Sequence, residues 1–404
     1  MNILFINDDD IDPERGGIKR STHILARTLM DRYHLKCYLA YIRGFPECPT
    51  LAFDDKIQIL DKDGSIRLEE FIIRHEIDII ILQKMLPKKY GVLPALEKVA
   101  AARRSKLIYV LHFSPDHKIL DLAPVNIVNN IRYARSWIYK AVNLGKLAAY
   151  PAYRSIKRRC LRLDYKRDYR RFDRIVLLSQ SYIPNYARLA GLAEHRKLAA
   201  VGNPISSDTP VSREEISRKE REVLIVSRFD EKQKKLYRAL KIWREIERYG
   251  EFRDWRLVIV GFGPWGDRYK KRAAALGLKN VVFVGGPKDP RPYYRRASVF
   301  MMTSAYEGFA MVLLESQQMG VVPLAFDSFG SLHDVIQDGY NGLIVPNADL
   351  KAYAERLIGL MRNKDRREEM AGNAVESCTR FSGDHIGAQW IDLFKSVISE
   401  PFRT

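Results

Sequence analysis

The sequence predicts two α/β domains, each a Rossmann-like fold on a parallel β-sheet, facing a central cleft. Three observations predict this architecture. Short apolar runs alternate with helical patterns in both halves of the chain, a polar and charged stretch separates the halves, and 404 residues exceed one ordinary hydrophobic core. The hydrophobic fraction of 46% is typical of a globular protein.

The N-terminal half alternates five predicted strands with helices. Its apolar runs are short and rich in Ile, Val and Leu, which is typical of strands covered on both faces of a sheet. Helical periodicity is clearest over residues 18–32 and 66–75. The predicted strands are residues 3–7, 36–42, 77–83, 107–113 and 174–179.

A second set of alternating elements follows a charged linker. The linker begins after Asn203-Pro204 and ends near Glu222, which favours one domain at 1–204 and another at 205–384. A final helix at about 385–399, in the segment 385–404, is predicted to pack back on the first domain. The strands of the second set are predicted at residues 223–229, 257–260, 281–284, 299–303, 321–326 and 343–345.

The cysteines and the hydropathy of the sequence indicate the cellular compartment of the protein. The four cysteines, Cys37, Cys48, Cys160 and Cys378, are scattered without the CxxC or CxxH spacing of a metal site. No apolar run approaches the roughly 18 residues that cross a bilayer, and the first residues lack the basic region of a signal peptide. These features favour a reduced, cytoplasmic environment.

Two glutamates after the predicted strand 299–303 carry the strongest functional signal. Glu307 falls in the loop after that strand, and Glu315 falls about two turns into a helix predicted over 309–319. Taken alone, the pattern also fits a turn glutamate followed by a solvated helix charge. Free backbone N–H groups suited to a phosphate are predicted at the start of the helix, at Phe309, Ala310, Met311 and Val312.

Two other motifs suggest chemistry that the surrounding sequence does not support. Gly261-Phe-Gly-Pro-Trp-Gly266 matches the dinucleotide fingerprint GxGxxG, but the acid expected at the end of the next strand is missing. The motif also follows the second strand of its domain instead of the first, so a glycine-rich loop beside a nucleotide is the preferred interpretation. The run Asp8-Asp9-Asp10 fits a solvated turn or a metal site, and the turn is preferred.

In their order and spacing, several motifs together resemble the retaining glycosyltransferases of the GT-B fold, family 4. Glu307 and Glu315 match the pattern Glu-x7-Glu, and Arg228 and Lys234 match the R…QK element. The resemblance covers most of the chain and is strongest from about 222 to 350. The glycine pair after the first strand and a histidine of the N-terminal domain are matched by Gly16, Gly17 and His112.

The resemblance implies a role for each matched residue. Arg228 and Lys234 would bind the diphosphate and stabilise its developing charge, Glu315 would bind the ribose, and Glu307 would bind the transferred sugar. His112 would bind an outer hydroxyl of that sugar, with a core histidine at a strand end as the alternative. Further contacts to phosphate and base would come from the backbone at Gly16, Gly17, Gly286, Pro287, Gly308, Phe309, Ala310, Met311 and Val312.

The resemblance also implies the reaction and its substrates. Transfer would proceed by front-face attack with retention of configuration, without a protein nucleophile, a cofactor or a metal. The implied donor is a nucleotide sugar, with UDP favoured and galactose, glucose and N-acetylglucosamine all open. The implied acceptor is a glycan or lipid-linked saccharide of bacterial surface polysaccharide synthesis. The alternative is a catalytically inactive GT-B scaffold that binds a lipid or a polyanion.

The net charge of +19 is concentrated in one quarter of the chain. Residues 101–200 carry 21 Lys/Arg and 6 Asp/Glu, and the region of about 118–171 alternates cations with aromatic and aliphatic residues. This pattern predicts a basic amphipathic insertion in the first domain that binds the anionic inner face of the cell membrane. A solvated helical insertion is the alternative. Nucleic acid is not expected as a partner because no recognised nucleic-acid module accompanies the charge.

Overall fold

The computed structural model describes residues 1–14, 16–44, 53–59, 64–85, 92–134, 136–205 and 211–401. The chain forms two compact units. Unit 1 comprises Met1–Pro115, Arg158–Ser207 and Phe381–Thr404, and unit 2 comprises Asp116–Lys157 and Asp208–Arg380. Most of the basic insertion predicted for the first domain therefore groups with unit 2, and only its end from Arg158 onward groups with unit 1. Cys48 lies outside the described residues.

Unit 1 is built on a parallel sheet of seven described strands. These are β1 (Asn2–Asp9), β2 (Lys36–Arg43), β3 (Asp55–Gln58), β4 (Ile79–Leu82), β5 (Lys106–Leu111), β6 (Arg174–Leu177) and β7 (Leu198–Ala200). Their order across the sheet is β3-β2-β1-β4-β5-β6-β7. Every residue of β4, β5 and β6 is buried, as expected for a parallel sheet covered on both faces.

Unit 2 is built on a second parallel sheet, of six described strands. These are β8 (Glu220–Val226), β9 (Arg256–Val260), β10 (Val281–Gly285), β11 (Ala297–Met302), β12 (Val322–Asp327) and β13 (Leu343–Pro346). Their order is β10-β9-β8-β11-β12-β13. The two parallel α/β sheets confirm the predicted fold class.

Helices connect the strands of both sheets, as the crossover between parallel strands requires. Among the described residues, no helix has both the length and the apolar character needed to cross a membrane. The helices are α1 (Gly17–Tyr33), α2 (Gly64–Arg74), α3 (Val92–Arg103), α4 (His117–Leu120), α5 (Pro124–Tyr133), α6 (Trp137–Ala148), α7 (Tyr150–Arg171), α8 (Tyr182–Ala190), α9 (Arg213–Ser217), α10 (Leu236–Ile246), α11 (Gly266–Ala275), α12 (Arg291–Arg296), α13 (Met311–Gln318), α14 (Leu332–Val335), α15 (Leu350–Arg362), α16 (Lys364–Cys378) and α17 (Gly383–Ser399).

All eleven predicted strands are present, and two further strands of the described chain escaped prediction. The two, β3 and β7, lie at opposite edges of the first sheet. Strand β3 has no fully buried residue, and β7 has only three residues. Hydrophobic patterning detects strands by burial, so short or half-exposed edge strands give it little signal.

The last helix, α17, belongs to unit 1 and packs against α1. Its buried face includes Trp390, Phe394 and Val397. Just beyond it, the Glu400 carboxylate accepts a hydrogen bond of 2.8 Å from Arg174 in β6, and the Glu400 carbonyl accepts one of 2.8 Å from Lys106 in β5. The end of the described chain is therefore tied to the first sheet.

Each sheet contains one point where the strand order reverses direction. In unit 1 this point lies between β1 and β4, and in unit 2 it lies between β8 and β11. The loops that follow such a pair of strands diverge to opposite faces and leave a crevice where ligands of α/β proteins bind. The loops after β8 and β11 contain Arg228, Lys234 and Glu307, so the topology brings these predicted residues to one edge.

Candidate functional site

The loops after β8 and β11 are joined by their backbones. The Ala305 amide donates a hydrogen bond of 2.7 Å to the Gln233 carbonyl, and the Thr303 hydroxyl donates one of 3.0 Å to the Lys234 carbonyl. These bonds hold the segment before α10 against the segment before α13. The side chains of the two loops therefore occupy fixed positions relative to each other.

Glu307 and Lys234 form an ion pair at the centre of this arrangement. The Lys234 ammonium lies 2.6 Å from Glu307 Oε1, and the two side chains are 15% and 9% exposed. The Gln233 side-chain amide donates a hydrogen bond of 3.0 Å to the other carboxylate oxygen, Oε2. Glu307 is thus a buried and paired carboxylate, and the alternative of a simple turn residue does not describe it.

Gln233 connects this pair to Arg228. Arg228 donates a hydrogen bond of 3.2 Å to Gln233 Oε1 and lies 3.5 Å from the Asp230 carboxylate. Its side chain is 65% exposed, so the guanidinium remains available to solvent while the glutamine is buried. The sequence motifs did not predict Gln233 as a site residue. Its position directly before Lys234, in a loop between a strand and a helix, was the signal that could have found it.

The helix that follows Glu307 begins two residues later than predicted. Helix α13 starts at Met311, with Ala310 at its N-cap. The Met311 amide donates a hydrogen bond of 2.9 Å to the Phe309 carbonyl, so the prediction of a free N–H at Met311 is wrong. The Gly308 carbonyl accepts a hydrogen bond of 2.9 Å from the Ser331 hydroxyl, which fixes the loop before the helix. The tight turn at the helix start consumes a donor that an ideal helix would leave open.

Glu315, in the middle of α13, has a buried partner. The Tyr294 hydroxyl donates a hydrogen bond of 3.0 Å to Glu315 Oε2. Tyr294 is 1% exposed, and its ring stacks on Phe300 of β11 at a centroid distance of 5.8 Å. The half-buried carboxylate is therefore held in one orientation and is not a freely solvated helix charge. Tyr294 is a second residue that sequence analysis did not single out.

The glycine-rich loop after β9 packs against the loop after β8. Gly261 has φ +148°, and a Cβ atom there would lie 1.8 Å from the Ser227 carbonyl oxygen. The Phe229 amide donates a hydrogen bond of 2.8 Å to the Phe262 carbonyl. The glycine therefore permits a close approach of two backbones. Gly286 and Pro287 follow β10, and the Phe262 ring packs directly on Gly286.

Gly16, Gly17 and His112 lie in unit 1, each after a strand of its sheet. Gly16 is the N-cap of α1 with φ +122°, which a residue with a side chain rarely adopts, and Gly17 is the first residue of the helix. The Gly16 carbonyl accepts a hydrogen bond of 3.0 Å from the Arg20 amide. The structure thus explains the glycine at position 16 by backbone conformation.

His112 is a buried and neutral histidine at the end of β5. Burial lowers the pKa of His112 to about 3. Its Nε2 lies 2.5 Å from Gln83 Oε1, and its Nδ1 has no hydrogen-bond partner among the described residues. Because the amide oxygen can only accept, Nε2 carries the proton and Nδ1 presents a lone pair. One ring nitrogen is therefore satisfied in the core and the other is not.

The three consecutive aspartates at the end of β1, Asp8 to Asp10, are paired with cations of unit 1. Asp9 lies 3.1 Å from Lys19 and 2.7 Å from Arg43. Asp10 lies 2.9 Å from Lys56, and Asp8 pairs with Lys84. Asp10 is only 4% exposed. This arrangement differs from the solvated turn that sequence analysis preferred.

The chain is similar to known glycosyltransferases in sequence. Residues 208–377 match the family described as glycosyl transferases group 1. The chain is 27% identical over 195 residues to the GalNAc-alpha-(1->4)-GalNAc-alpha-(1->3)-diNAcBac-PP-undecaprenol alpha-1,4-N-acetyl-D-galactosaminyltransferase of Campylobacter jejuni, covering 48% of this chain and 54% of that protein. It is 27% identical over 226 residues to the amylovoran biosynthesis glycosyltransferase AmsD of Erwinia amylovora, covering 55% of this chain and 62% of that protein. The alignments thus span little more than half of these relatives.

The fold is also shared with a solved structure. Anabaena Alr3699/HepE, crystallised in complex with UDP and glucose, superposes with a TM-score of 0.70 at 15% identity, covering 98% of this chain and 100% of that one. This likeness confirms the GT-B fold. The family match over residues 208–377 and the shared fold make the chain similar to GT-B glycosyltransferases, as its motifs predicted. Assignment to family 4 stays a prediction.

Proposed function

We propose that this relative of the GT-B glycosyltransferases transfers a hexose or N-acetylhexosamine from a nucleotide sugar to a glycan or lipid-linked saccharide in bacterial surface polysaccharide synthesis. The observation that carries the proposal is the buried Lys234–Glu307 pair, joined by Gln233 to Arg228, at the reversal point of the second sheet. Two cations and a sugar-binding carboxylate at one edge suit a sugar diphosphate. UDP is the favoured nucleotide, supported by the UDP complex of the Anabaena protein.

The cations would stabilise the leaving group. Breaking the bond between the anomeric carbon and the phosphate oxygen places negative charge on the diphosphate, and fixed cations lower the energy of that state. The exposed guanidinium of Arg228 can bind two phosphate oxygens, and the ammonium of Lys234 adds a point charge. Since these groups supply positive charge, we propose that transfer does not require a metal.

The donor would compete with Glu307 for Lys234. When a phosphate attracts the Lys234 ammonium, Glu307 Oε1 becomes available to accept hydrogen bonds from hydroxyls of the transferred sugar. The acceptor hydroxyl would then attack the anomeric carbon on the face that the phosphate leaves. The new C–O bond forms as the old one breaks, and the hydroxyl proton passes to the departing phosphate. Configuration is retained without a protein nucleophile.

We propose the remaining contacts from the roles that the motifs predict. Glu315, oriented by Tyr294, would bind the ribose hydroxyls, and the backbone at Gly286 and Pro287 would bind the base. His112 is neutral at physiological pH, so its unpaired Nδ1 would accept a hydrogen bond from a sugar hydroxyl. Gly16, Gly17 and Gly308 would contact phosphate through backbone N–H groups.

The alternative of an inactive scaffold is not favoured. A protein that had lost turnover would have no need to keep an exposed Arg228 guanidinium beside Lys234 and Glu307 at the reversal point of the second sheet. Here the pair has close contacts and a supporting amide. The donor-site residues are those expected of an active transferase.

A nucleotide-sugar screen tests the proposal. Thermal unfolding should be followed with UDP, UDP-glucose, UDP-galactose, UDP-N-acetylglucosamine and, as a control, UMP. A ligand at 100 times its Kd stabilises the native state by about 2.7 kcal/mol, which is a measurable rise in Tm. Release of UDP from the stabilising donor, in the presence of lipid-linked saccharides, then measures transfer. If no nucleoside diphosphate or its sugar raises the Tm at millimolar concentration, the proposal is wrong.

We also propose that the basic segment 122–157 binds an anionic membrane surface. The segment carries six Lys/Arg and no Asp/Glu. Its helix α6 exposes Trp137 (76%), Ile138 (58%) and Leu144 (54%). Exposed apolar side chains among cations suit a lipid headgroup layer, which accepts both, whereas a soluble polyanion would contact only the charges.

Vesicle binding tests this surface with matched variants. The double variant Lys140→Gln/Lys146→Gln removes two cations of α6, and Lys270→Gln/Lys271→Gln removes two exposed cations of α11. The first should lose roughly 2 kcal/mol of affinity for vesicles containing phosphatidylglycerol, at about 1 kcal/mol per cation, and the second should lose less. Trp137→Ser should weaken binding even at low salt. Equal binding of the wild type to neutral and anionic vesicles would contradict the proposal.

A further inference from the structure

Asp121, between α4 and α5, contacts both loops of the proposed donor site. Its carboxylate accepts a hydrogen bond from the Tyr306 hydroxyl, and its Oδ2 lies 2.7 Å from the Lys232 ammonium. Tyr306 directly precedes Glu307, and Lys232 directly precedes Gln233. One carboxylate therefore contacts the residue before Glu307, and it also contacts the residue before Gln233, the side chain that hydrogen-bonds to Glu307.

A second contact joins the same segment to the first loop. Asn126 of α5 is 4% exposed, and its side-chain oxygen accepts a hydrogen bond of 3.0 Å from the Lys235 ammonium. Its side-chain nitrogen donates a hydrogen bond of 3.3 Å to the Asp121 carbonyl. Lys235 is the N-cap of α10 and has a left-handed backbone with φ 52°, a strained conformation for a residue with a side chain. The contact with Asn126 helps to hold it.

All of these residues belong to one compact unit. Asp121 and Asn126 lie in the part of unit 2 formed by Asp116–Lys157, and the two loops lie in the part formed by Asp208–Arg380. The phenol of Tyr306 is protonated at neutral pH, and burial, together with the adjacent Asp121, raises its pKa further above the usual value. The bond from Tyr306 to Asp121 is therefore a phenol donating to a carboxylate, which is among the stronger kinds of hydrogen bond.

We propose that Asp121 is a positioning residue for the donor site, tying the loop of Gln233 and Lys234 and the loop of Glu307 to the basic segment. The expected effect of Asp121 on transfer rests on the proposed function. The described contacts of the Asp121 carboxylate are with Tyr306 and Lys232 and not with the Lys234–Glu307 pair itself. Asp121 acts by restricting Tyr306 and Lys232, whose backbones are continuous with the residues that bind the donor. The segment that exposes α6 is thereby attached to the donor site.

Steady-state kinetics with matched variants test the effect on the reaction. Asp121→Asn removes the attraction for Lys232 and keeps an acceptor for Tyr306, and Tyr306→Phe removes the hydroxyl alone. Each should raise the donor KM about tenfold, which corresponds to 1.4 kcal/mol, and leave the acceptor KM unchanged. Because the two variants weaken different contacts of the same carboxylate, the double variant should raise the donor KM more than either single variant. Asp116→Asn is the control: it makes the same change in the same segment, at a carboxylate without a side-chain partner among the described residues.

Amide hydrogen exchange tests the positioning without any substrate. The amides of Ala305 and Lys234 are bonded to Gln233 and Asp230 in the two loops. Asp121→Ala should accelerate their exchange, and Asp116→Ala should not. Unchanged exchange in Asp121→Ala would overturn the inference whether or not the protein is a transferase. A wild type that binds no sugar nucleotide, together with faster exchange in Asp121→Ala, would overturn only the proposed function.

Discussion

The Lys234 ammonium lies 2.6 Å from the Glu307 carboxylate, although the two residues are 73 positions apart in the sequence. Both side chains are largely buried, so neither charge can be solvated well if the other is removed. The pair therefore contributes to the stability of the folded protein and is also a candidate contact for a substrate.

Glu307→Gln should abolish transfer and also lower stability. The amide cannot balance the Lys234 charge, and an unpaired buried charge typically costs about 3–5 kcal/mol. Transfer measured as UDP release should fall by a factor of about 100 or more, because the side chain would contact the reacting sugar. Glu376→Gln, the same change at an exposed glutamate of α16, should alter neither quantity.

Removing both charges should restore part of the lost stability. In the double variant Glu307→Gln/Lys234→Met no ion is left unpaired, so its free energy of unfolding should exceed that of Glu307→Gln. Urea unfolding of the wild type, both single variants and the double variant measures this coupling. Additive losses would mean that the two charges do not stabilise each other.

Gln233→Leu should weaken donor binding. The leucine leaves Glu307 Oε2 and Arg228 without the partners that Gln233 provides, which costs about 1–3 kcal/mol for a buried polar group. We expect a lower urea midpoint and a donor KM raised at least fivefold. Gln233→Glu would instead place a second carboxylate beside Glu307, and it should bind the donor less well than the wild type by like-charge repulsion.

Tyr294→Phe should affect the donor and spare the acceptor. The hydroxyl orients Glu315, and its loss removes one hydrogen bond of about 1 kcal/mol without changing the packing on Phe300. Titration calorimetry with UDP should show an affinity lower by roughly fivefold. An unchanged UDP affinity would argue that Glu315 does not bind the nucleotide.

His112 should make unit 1 less stable as the pH falls. Its pKa is about 3 in the folded protein and about 6.5 in an unfolded chain. Between these values the unfolded chain binds the additional proton, so stability decreases with decreasing pH. From pH 7 to pH 5 the loss due to this residue should be about 2 kcal/mol. Urea unfolding of His112→Gln should lack that part of the pH dependence, and a slope equal to that of the wild type would contradict the assignment.

Gly261→Ala should disrupt the loops around the donor site. A methyl group there would collide with the Ser227 carbonyl, and φ +148° is unfavourable for alanine. We expect a loss of stability of at least about 3 kcal/mol, since neither backbone can move without breaking the sheet edge. Gly372→Ala is the contrasting change. It lies inside α16 with no atom near the added methyl group, so it should raise the Tm slightly.

The sequence alone determined the fold class and the strands that carry the site. Runs such as 299–303 and 223–229 predict buried parallel strands, because a strand that is buried on both faces has apolar residues at nearly every position. Once the strands are placed, residues that follow them, such as Arg228 and Glu307, fall at one edge of a sheet by topology. The resemblance of the motifs to GT-B glycosyltransferases is supported by the family match over residues 208–377 and by the shared fold.

Only the tertiary structure showed which side chains meet. The sequence motifs did not single out Gln233 or Tyr294; only the folded chain brings them into contact with Glu307 and Glu315. Tyr306 and Asp121 are separated by 185 positions, and no periodicity connects them. The start of α13 at Met311 depends on a turn closed by its own backbone. Patterning reports whether a residue is buried, whereas a hydrogen bond depends on distances of a few ångströms that only the packed chain fixes.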